Sequence, residues 1–597
     1  MTAPRDRPVT RARRTGTPLD RLIPALWGAA MLLAAPLLAA QQPPNVVLIL
    51  VDDLAYTDLG AYGSEIATPN IDALASQGVL FTNHHASPMC APSRAMLMTG
   101  LDSHRTGLAN LPETMPEDHI GQPGYTGILE PQVTTIASRL KKLNYRNYMT
   151  GKWHLGHTPD TLPSARGFDR TFIMDATGAD NWEKRSYMPF YETAPWFEDG
   201  QPTELPEDFY SSAFLVDRMI DYIDSDTEQP FFSYLAFLAV HIPVQAPREF
   251  SDRYRGRYDT GWAELRRQRR EGAIAKGVID ADTSMAPMLE PLRKWEALDT
   301  DIRALLAARM EVYAGMVEAM DFHVGRLIKH LKASGRYDNT IFILTSDNGP
   351  EGADPVALSR SYTLWLRATG YRLKGEDLGE RGTFAYIGPE FASAAAGPLS
   401  YFKFHAGEGG VRVPLLMSGP GIAPQYHRSF SFITDIAPTI LDLAGGHTAE
   451  ASEQMTGRSL LPVVTGQADA TYSATTETGF ETAGQAGLFR GDLKLVRNAP
   501  PYGDNVWRLY DIVLDPGETQ DMSASHPELF ASMMQAWERY VRSNGVLPVP
   551  QGYLPTEVMT RRTEKILRKR HGPKIVLGLI VLSGLTALFV IRRRRRR

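Results

Sequence analysis

The chain has 597 residues, more than a single hydrophobic core organises, so two or more domains are expected. With 43% hydrophobic and 22% charged residues and no fixed-period repeat, it is not a disordered or fibrous protein. Its formal net charge of −5 hides two basic ends, and the body between them carries about −21, which argues against nucleic acid or long polyanions as partners.

Residues 1–40 read as a signal peptide. Arg5, Arg7, Arg11, Arg13, Arg14 and Arg21 precede an uncharged apolar stretch from Leu22 to Ala40, and polar Gln41 and Gln42 follow. An exported chain can form disulfides, yet Cys90 is the only cysteine, and no Asn-x-Ser/Thr sequon is present. Both features point to a bacterial periplasm or cell envelope.

Asn45 to Val51 (NVVLILV) is a β-branched apolar run of the kind that forms a strand buried on both faces, and it ends in Asp52-Asp53. Residues 69–77 predict a helix with Ile71, Leu74 and Ala75 on one face, and Thr134 to Leu143 a second, leading to a short strand at Tyr148 to Thr150. The apolar stretch from Phe231 to Val240 stops at His241, and the charged segment from Trp262 to Leu298 reads as a surface insertion. Ile302 to Leu331 has the three- and four-residue spacings of a long helix and leads into Thr340 to Thr345, a buried strand that ends in Ser346-Asp347-Asn348-Gly349.

Alternating strands and helices with polar residues at strand ends predict an α/β fold around a large mixed or parallel sheet, in a catalytic domain over residues 41–460. Shorter segments follow: Gly487 to Val496 with a turn at Gly491-Asp492, Trp507 to Asp511, and a helix near Pro527 to Arg542. They predict an α+β subdomain over residues 461–544. Residues 545–573 read as a linker to a membrane anchor over 574–597, where Ile575 to Ile591 is uncharged and six arginines close the chain. Seventeen helical residues span roughly 25 Å, enough for a thin bilayer. The signal peptide leaves the arginine tail on the cytoplasmic side.

Asp52-Asp53, Cys90 with Arg94, Lys152 with His154, and Asp347-Asn348 need a common explanation, and His241 and Lys403 join them. Each alone is weak, since paired carboxylates are often solvated caps and a lone histidine is more often a hydrogen-bonded core residue. Together, Asp52, Asp53, Asp347 and Asn348 offer hard oxygen ligands, which suit Ca²⁺, or less well Mg²⁺, rather than Zn²⁺. Arg94, Lys152, His154, His241 and Lys403 offer cationic donors for a tetrahedral oxyanion, phosphate or sulfate.

Cys90-Ala91-Pro92-Ser93-Arg94, continuing to Thr99-Gly100, resembles the signature of the type I, formylglycine-dependent sulfatases of the alkaline phosphatase superfamily. Other family segments match Asp52-Asp53, Thr68 to Asp72, Gly151 to Gly156, Ser346 to Gly349, Lys403 to Pro414 and Leu509 to Asp511. The resemblance spans Asn45 to about Arg542 and is strongest towards bacterial arylsulfatases, partly through Ala239 to Pro243. It implies an alkaline phosphatase-like fold and hydrolysis of sulfate monoesters, aryl sulfates first.

The resemblance further implies Ca²⁺ on Asp52, Asp53, Asp347 and Asn348, and a maturation enzyme that oxidises Cys90 to formylglycine. One hydroxyl of the hydrated aldehyde would attack sulfur, with Arg94 and Lys152 orienting the diol. His241 with Lys403 would bind sulfate and protonate the leaving oxygen, and His154 would take a proton from the second hydroxyl so that sulfate is expelled. A phosphomonoester or phosphonate monoester hydrolase of the same superfamily is the alternative. A non-catalytic, membrane-displayed binding protein is another, but it predicts a missing ligand or acid, and none is missing. His405 has no assigned role. Tyr125, Trp153, Tyr187, Trp196 and Tyr401 are candidates for an aromatic pocket, with core packing as their ordinary explanation.

Overall fold

The apolar runs at residues 45–51, 231–236 and 340–346 become neighbouring strands of one ten-stranded sheet in the computed structural model, which describes residues 43–446 and 454–570. The expected signal peptide and membrane anchor lie outside the described residues. Among the described residues, no helix is long and apolar enough to cross a membrane.

The five inner strands, Thr340–Ser346, Asn45–Val51, Phe231–Ala236, Arg146–Lys152 and Arg170–Met174, are all parallel. Shorter strands extend both edges: Leu415–Ser418, Val79–Phe81 and Gln425–His427 beyond Thr340–Ser346, and Trp196–Glu198 and Gln201–Pro202 beyond Arg170–Met174. Side chains alternate across the sheet, so Val47, Ile49 and Val51 enter a core with the long helix Thr300–Ala333 and the helix Ser211–Asp224. Val46, Leu48 and Leu50 enter the opposite core, with the helices Cys90–Thr99 and Ile436–Leu443. Burial of each such aliphatic side chain contributes about 1.5–3 kcal/mol, and the few polar residues within the inner strands, such as Asn147, Thr150 and Ser233, are buried with them.

Register sets the position of the site. Val51 pairs with Ser346, Leu50 with Ala236 and Ala236 with Gly151, so four adjacent strands stop at nearly the same level. Asp52, Asp347, Lys152 and the segment leading to His241 therefore emerge from one sheet edge, the C-terminal edge that parallel α/β sheets use for ligands.

A smaller antiparallel sheet, Glu477–Thr482, Gln485–Arg490, Leu493–Arg497 and Trp507–Asp511, packs Leu488, Leu495 and Leu509 against the helix Pro527–Asn544. Phe480, Phe489 and Val496 face the other way, into the second core of the main body.

Two segments differ from their sequence reading. The stretch read as a surface insertion contains the helix Trp262–Ala275, in which Arg266 and Arg269 are buried. Arg269 is held by Asp58 at 2.8 Å and Glu65 at 2.5 Å, and Arg266 donates to the carbonyls of Ala286 and Leu399 at 2.9 and 2.8 Å. A guanidinium enters a core when carboxylates and carbonyls replace its water, which composition cannot foresee. Within the expected linker, residues 555–570 are helical and dock on the body, with Val558, Thr563 and Leu567 buried. Frequent charges obscure that four- to five-residue spacing of buried positions.

Candidate active site

A regular strand would point Asp52 and Asp53 to opposite faces. Asp53 instead adopts a left-handed backbone, φ 67°, directly after the strand ends, and both carboxylates enter the same site. Asp52 receives Lys152 Nζ at 2.7 and 3.0 Å and an Arg94 Nη at 3.2 Å. Asp53 receives Lys403 Nζ at 2.8 and 2.9 Å and Asn348 Nδ2 at 2.7 Å.

Each residue of the Cys90–Arg94 motif has a local reason. Cys90 is the first residue of a ten-residue helix, and Pro92 sits in the first turn, where its missing N–H needs no partner. Ser93 Oγ accepts from Ser87 N at 3.0 Å and donates to Ser87 O at 3.1 Å, which fixes the entry to the helix. Arg94, one turn on, donates to Asp347 at 2.8 Å and to the carbonyl of Lys152 at 2.8 Å. The helix ends at Gly100, whose φ of 71° suits glycine.

At Ser346-Asp347-Asn348-Gly349 the chain meets the backbone of Gly409-Gly410. A Cβ on Gly349 would lie 1.9 Å from Gly409 O, so only glycine lets the loop carrying Lys403 approach Asp347 and Asn348. Lys403 then bridges Asp53 and Glu351, the latter at 2.9 Å. His241 Nε2 lies 3.6 Å from Asp53 Oδ2, and its Nδ1 is 2.8 Å from Ile242 O and 3.2 Å from the Tyr187 hydroxyl. His154, also left-handed with φ 61°, lies 3.5 Å from Glu113, and neither of its ring nitrogens has a hydrogen-bond partner.

All ten residues singled out in the sequence thus belong to one cluster, buried except for the partly exposed His241. Glu113 and Glu351 are additional members that sequence reasoning missed, and the hydroxyl of Tyr187, a candidate for the aromatic pocket, joins them through His241. Glu113 has no motif around it, whereas Glu351, two residues after Ser346–Gly349, could have been suspected. Of the five candidate aromatics only Tyr187 lines the cleft. Trp153 bonds to Thr161 O, Trp196 packs on Phe172, Tyr125 accepts from Leu547 N, and Tyr401 stacks on His405. His405 is buried beneath the Lys403 loop, bonded to the carbonyls of Phe402 and Lys403.

The electrostatics are uneven. Burial alone would raise Asp52, but Lys152, His241, Arg94 and Lys403 hold it well below the usual carboxylate range. Burial with Asp52 and Glu351 nearby pushes Asp53 up to about 7 despite Lys403, and burial with Asp52 does the same to Asp347. Burial also pushes the Cys90 thiol well up, so it stays protonated. His241 is lowered to about 3 by burial and Lys403, and His154 is lowered by burial against the pull of Glu113. Both imidazoles are neutral at neutral pH.

These residues fit a hard divalent cation. The carboxylates crowd negative charge that the nearby cations do not fully balance, and Asn348 Oδ1 is buried with no hydrogen-bond partner. A ligand atom from each of Asp52, Asp53, Cys90 and His241 also lies within 4.8 Å of the others. A protonated thiol and an imidazole are poorer donors for Ca²⁺ than oxygen, so Asp52, Asp53, Asp347 and Asn348 are the better-matched set. Above them opens a cleft of about 110 Å³, lined at its base by Cys90, His154, His241 and Lys403.

The site and the sheet define a hydrolase for esters of tetrahedral oxyanions, with an alkaline phosphatase-like architecture. Residues 44–446 match the family described as Sulfatase, and residues 401–541 match the one described as N-sulphoglucosamine sulphohydrolase, C-terminal. The chain is 33% identical over 546 residues to an uncharacterized sulfatase of Schizosaccharomyces pombe, covering 87% of this chain and 97% of that one. It is 35% identical over 442 residues to an arylsulfatase of Klebsiella aerogenes, covering 73% and 93%. The solved structure of Ps i-CgsB in complex with k-i-k-neocarrahexaose superimposes with a TM-score of 0.61 at 25% identity, covering 88% of this chain and 98% of that one. The chain belongs to the sulfatase family and is a sulfuric ester hydrolase.

Proposed function

We propose that the chain hydrolyses sulfate monoesters of compact, aryl-like alcohols, with formylglycine at position 90 and Ca²⁺ held by Asp52, Asp53, Asp347 and Asn348. One observation carries the reading: the only cysteine sits at the floor of the cleft, held protonated by burial, among cations and carboxylates. As a thiol it is neither a nucleophile nor a good ligand there, so its position makes sense if a maturation enzyme changes it.

Formylglycine would supply a geminal diol as nucleophile, and Ca²⁺ would supply neutralisation of the sulfate oxygens. The chain's own residues do the rest. Arg94 and Lys152, tied to Asp347 and Asp52, hold positive charge beside position 90. His154, neutral and with Nε2 3.5 Å from the Glu113 carboxylate, is ready to accept a proton on Nδ1, and Glu113 stabilises the imidazolium that results. His241 Nδ1 faces the carbonyl of Ile242, which puts its proton on Nδ1 and leaves Nε2 bare. Lys403, held charged by Asp53 and Glu351, would therefore donate to the leaving oxygen and the sulfate, and His241 would bind a sulfate oxygen through Nε2 only once that nitrogen is protonated.

The Klebsiella relative's description as an arylsulfatase and the apolar walls of the cleft support an aryl substrate. The proposed organisation is a catalytic domain over 41–460 and a subdomain over 461–544, exported by residues 1–40 and tethered to a bacterial envelope membrane by 574–597.

The test is parallel kcat/KM measurement on an aryl sulfate and an aryl phosphate, with mass spectrometry of the peptide containing residue 90. The expected result is preference for sulfate, conversion of Cys90, and loss of activity on Ca²⁺ chelation that Ca²⁺ restores. Faster phosphate turnover, or full activity with unmodified Cys90, would overturn it.

A further inference from the structure

The residues 555–570 lie beyond both family matches, which end at 446 and 541, and nothing in their composition points to the active site. Yet Met559, Thr560 and Thr563 line the same cleft whose floor holds Cys90 and Lys403. We infer that this helix is a wall of the substrate site, and that Met559, Thr560 and Thr563 contact the alcohol part of the ester.

The helix is joined to the loops that make the other walls. Arg562 donates to the carbonyls of Pro112 and Met115 at 2.6 and 2.7 Å, on the loop that presents Leu111 and Glu113 to the cleft. Glu564 accepts from the hydroxyls of Ser359 and Ser361 at 3.2 and 3.3 Å, beside Leu358 and Tyr362 of the opposite wall. Arg570 reaches the carbonyl of Tyr191 at 3.4 Å, close to the Met188-Pro189 wall. Just before the helix, the Tyr553 hydroxyl donates to Thr114 O at 2.8 Å. Three separate segments, two loops and the start of the helix Arg360–Ala368, are thereby held in one arrangement.

Chemical character separates this wall from the floor. The floor is charged and suits a sulfate group, whereas Met559 packs with the apolar cluster of Tyr187, Ile242 and Tyr362. A flexible thioether against aromatic rings adapts to a flat apolar body, with the Thr563 hydroxyl and the Thr560 oxygen, whose proton goes to Thr556 O at 2.7 Å, as weak polar contacts beside it. The helix accordingly selects the alcohol, not the sulfate.

This inference rests on the reading of the cleft as a sulfate-ester site, and the experiment separates the two. The full chain is compared with Met559→Ala, Met559→Lys and the conservative Met559→Leu, using a one-ring and a two-ring aryl sulfate and inorganic sulfate as inhibitor. Met559→Ala should raise KM for the two-ring ester about five- to twentyfold while kcat changes less than about twofold. Met559→Lys should raise it further, Met559→Leu should restore it, and inhibition by inorganic sulfate should not move.

Equal KM values in all variants, or parallel loss of kcat and of sulfate inhibition, would overturn the inference. If the wild-type chain prefers aryl phosphates, the function reading fails instead, and the same KM comparison on the two-ring phosphate still decides the role of the helix. Melting temperatures of the variants identify any that lose the fold, and Thr563→Ala, at another residue of the same wall, then carries the comparison, with a raised KM for the two-ring ester expected and an unchanged one overturning the inference.

Discussion

Two clusters of fully buried charges lie in this molecule, and they do different things. At the sheet edge, Asp52, Asp53, Asp347 and Glu351 meet Arg94, Lys152 and Lys403, and two of the carboxyls are pushed up to about 7. Between the main body and the small sheet, Glu408 and Glu518 meet Lys494 and Arg412, with His85 3.0 Å from Glu408. Burial would raise Glu408, but Lys494, His85 and Arg412 hold it well below the usual range. The second cluster is balanced and sealed, while the first carries excess negative charge and opens to a cleft. Burial of charge alone does not mark a functional site; imbalance facing a cavity does.

Three substitutions sharpen or break this contrast. Cys90→Ala should lower kcat/KM by about 10⁴-fold or more, because no other side chain supplies the nucleophile, with a melting temperature within about 2 °C of wild type. Substantial turnover in steady-state assays of that variant would remove position 90 from the chemistry. Lys494→Met should do the reverse. It strands Glu408 and Glu518 without their shared cation, so denaturant unfolding should report a loss of about 3–5 kcal/mol while kcat per folded molecule is unchanged. A stable but inactive variant would make the sealed cluster part of the site.

The smallest effect concerns pH. His104 lies between Asp102 at 3.0 Å and Glu481 at 3.3 Å, and these two outweigh the cost of burial and raise it from 6.5 to about 9. A histidine raised in the folded state stabilises fully below its unfolded value, so this contribution is present below about pH 6.5 and is lost as pH rises through about 9. The loss is on the order of 3 kcal/mol. Unfolding free energies at pH 6.5 and 10 should fall less steeply in His104→Gln than in wild type; equal slopes would show that His104 is not the group responsible.

The inner strands were legible because an unbroken β-branched run has few alternatives once polar residues punctuate its end. The site residues were legible for a related reason: short, ordered motifs fix donors at positions that backbone geometry then exploits, as with Pro92 in the first helical turn and Gly349 against Gly409. Glu113 carried no such signal. Arg266 and Arg269 were read as surface residues because nothing local reveals that Asp58, Glu65 and several carbonyls await them. The helix over 555–570 was hidden by its many charges, of which Glu557, Arg561, Lys565, Arg568 and Lys569 are exposed while Arg562 and Glu564 bond to the body and Val558, Thr563 and Leu567 pack inward.

What the amino-acid sequence determined by itself is the inventory of chemistry: a lone cysteine in its motif, hard oxygen donors, and cations enough for a tetrahedral anion. Only the tertiary structure decided how those groups act. Parallel register levels the strand ends and gathers residues up to 350 positions apart, such as Asp53 and Lys403. Burial then makes both histidines neutral and two aspartates reluctant to ionise, and a distant helix closes the cleft. Those outcomes depend on distance and desolvation, which arise only when the chain is folded.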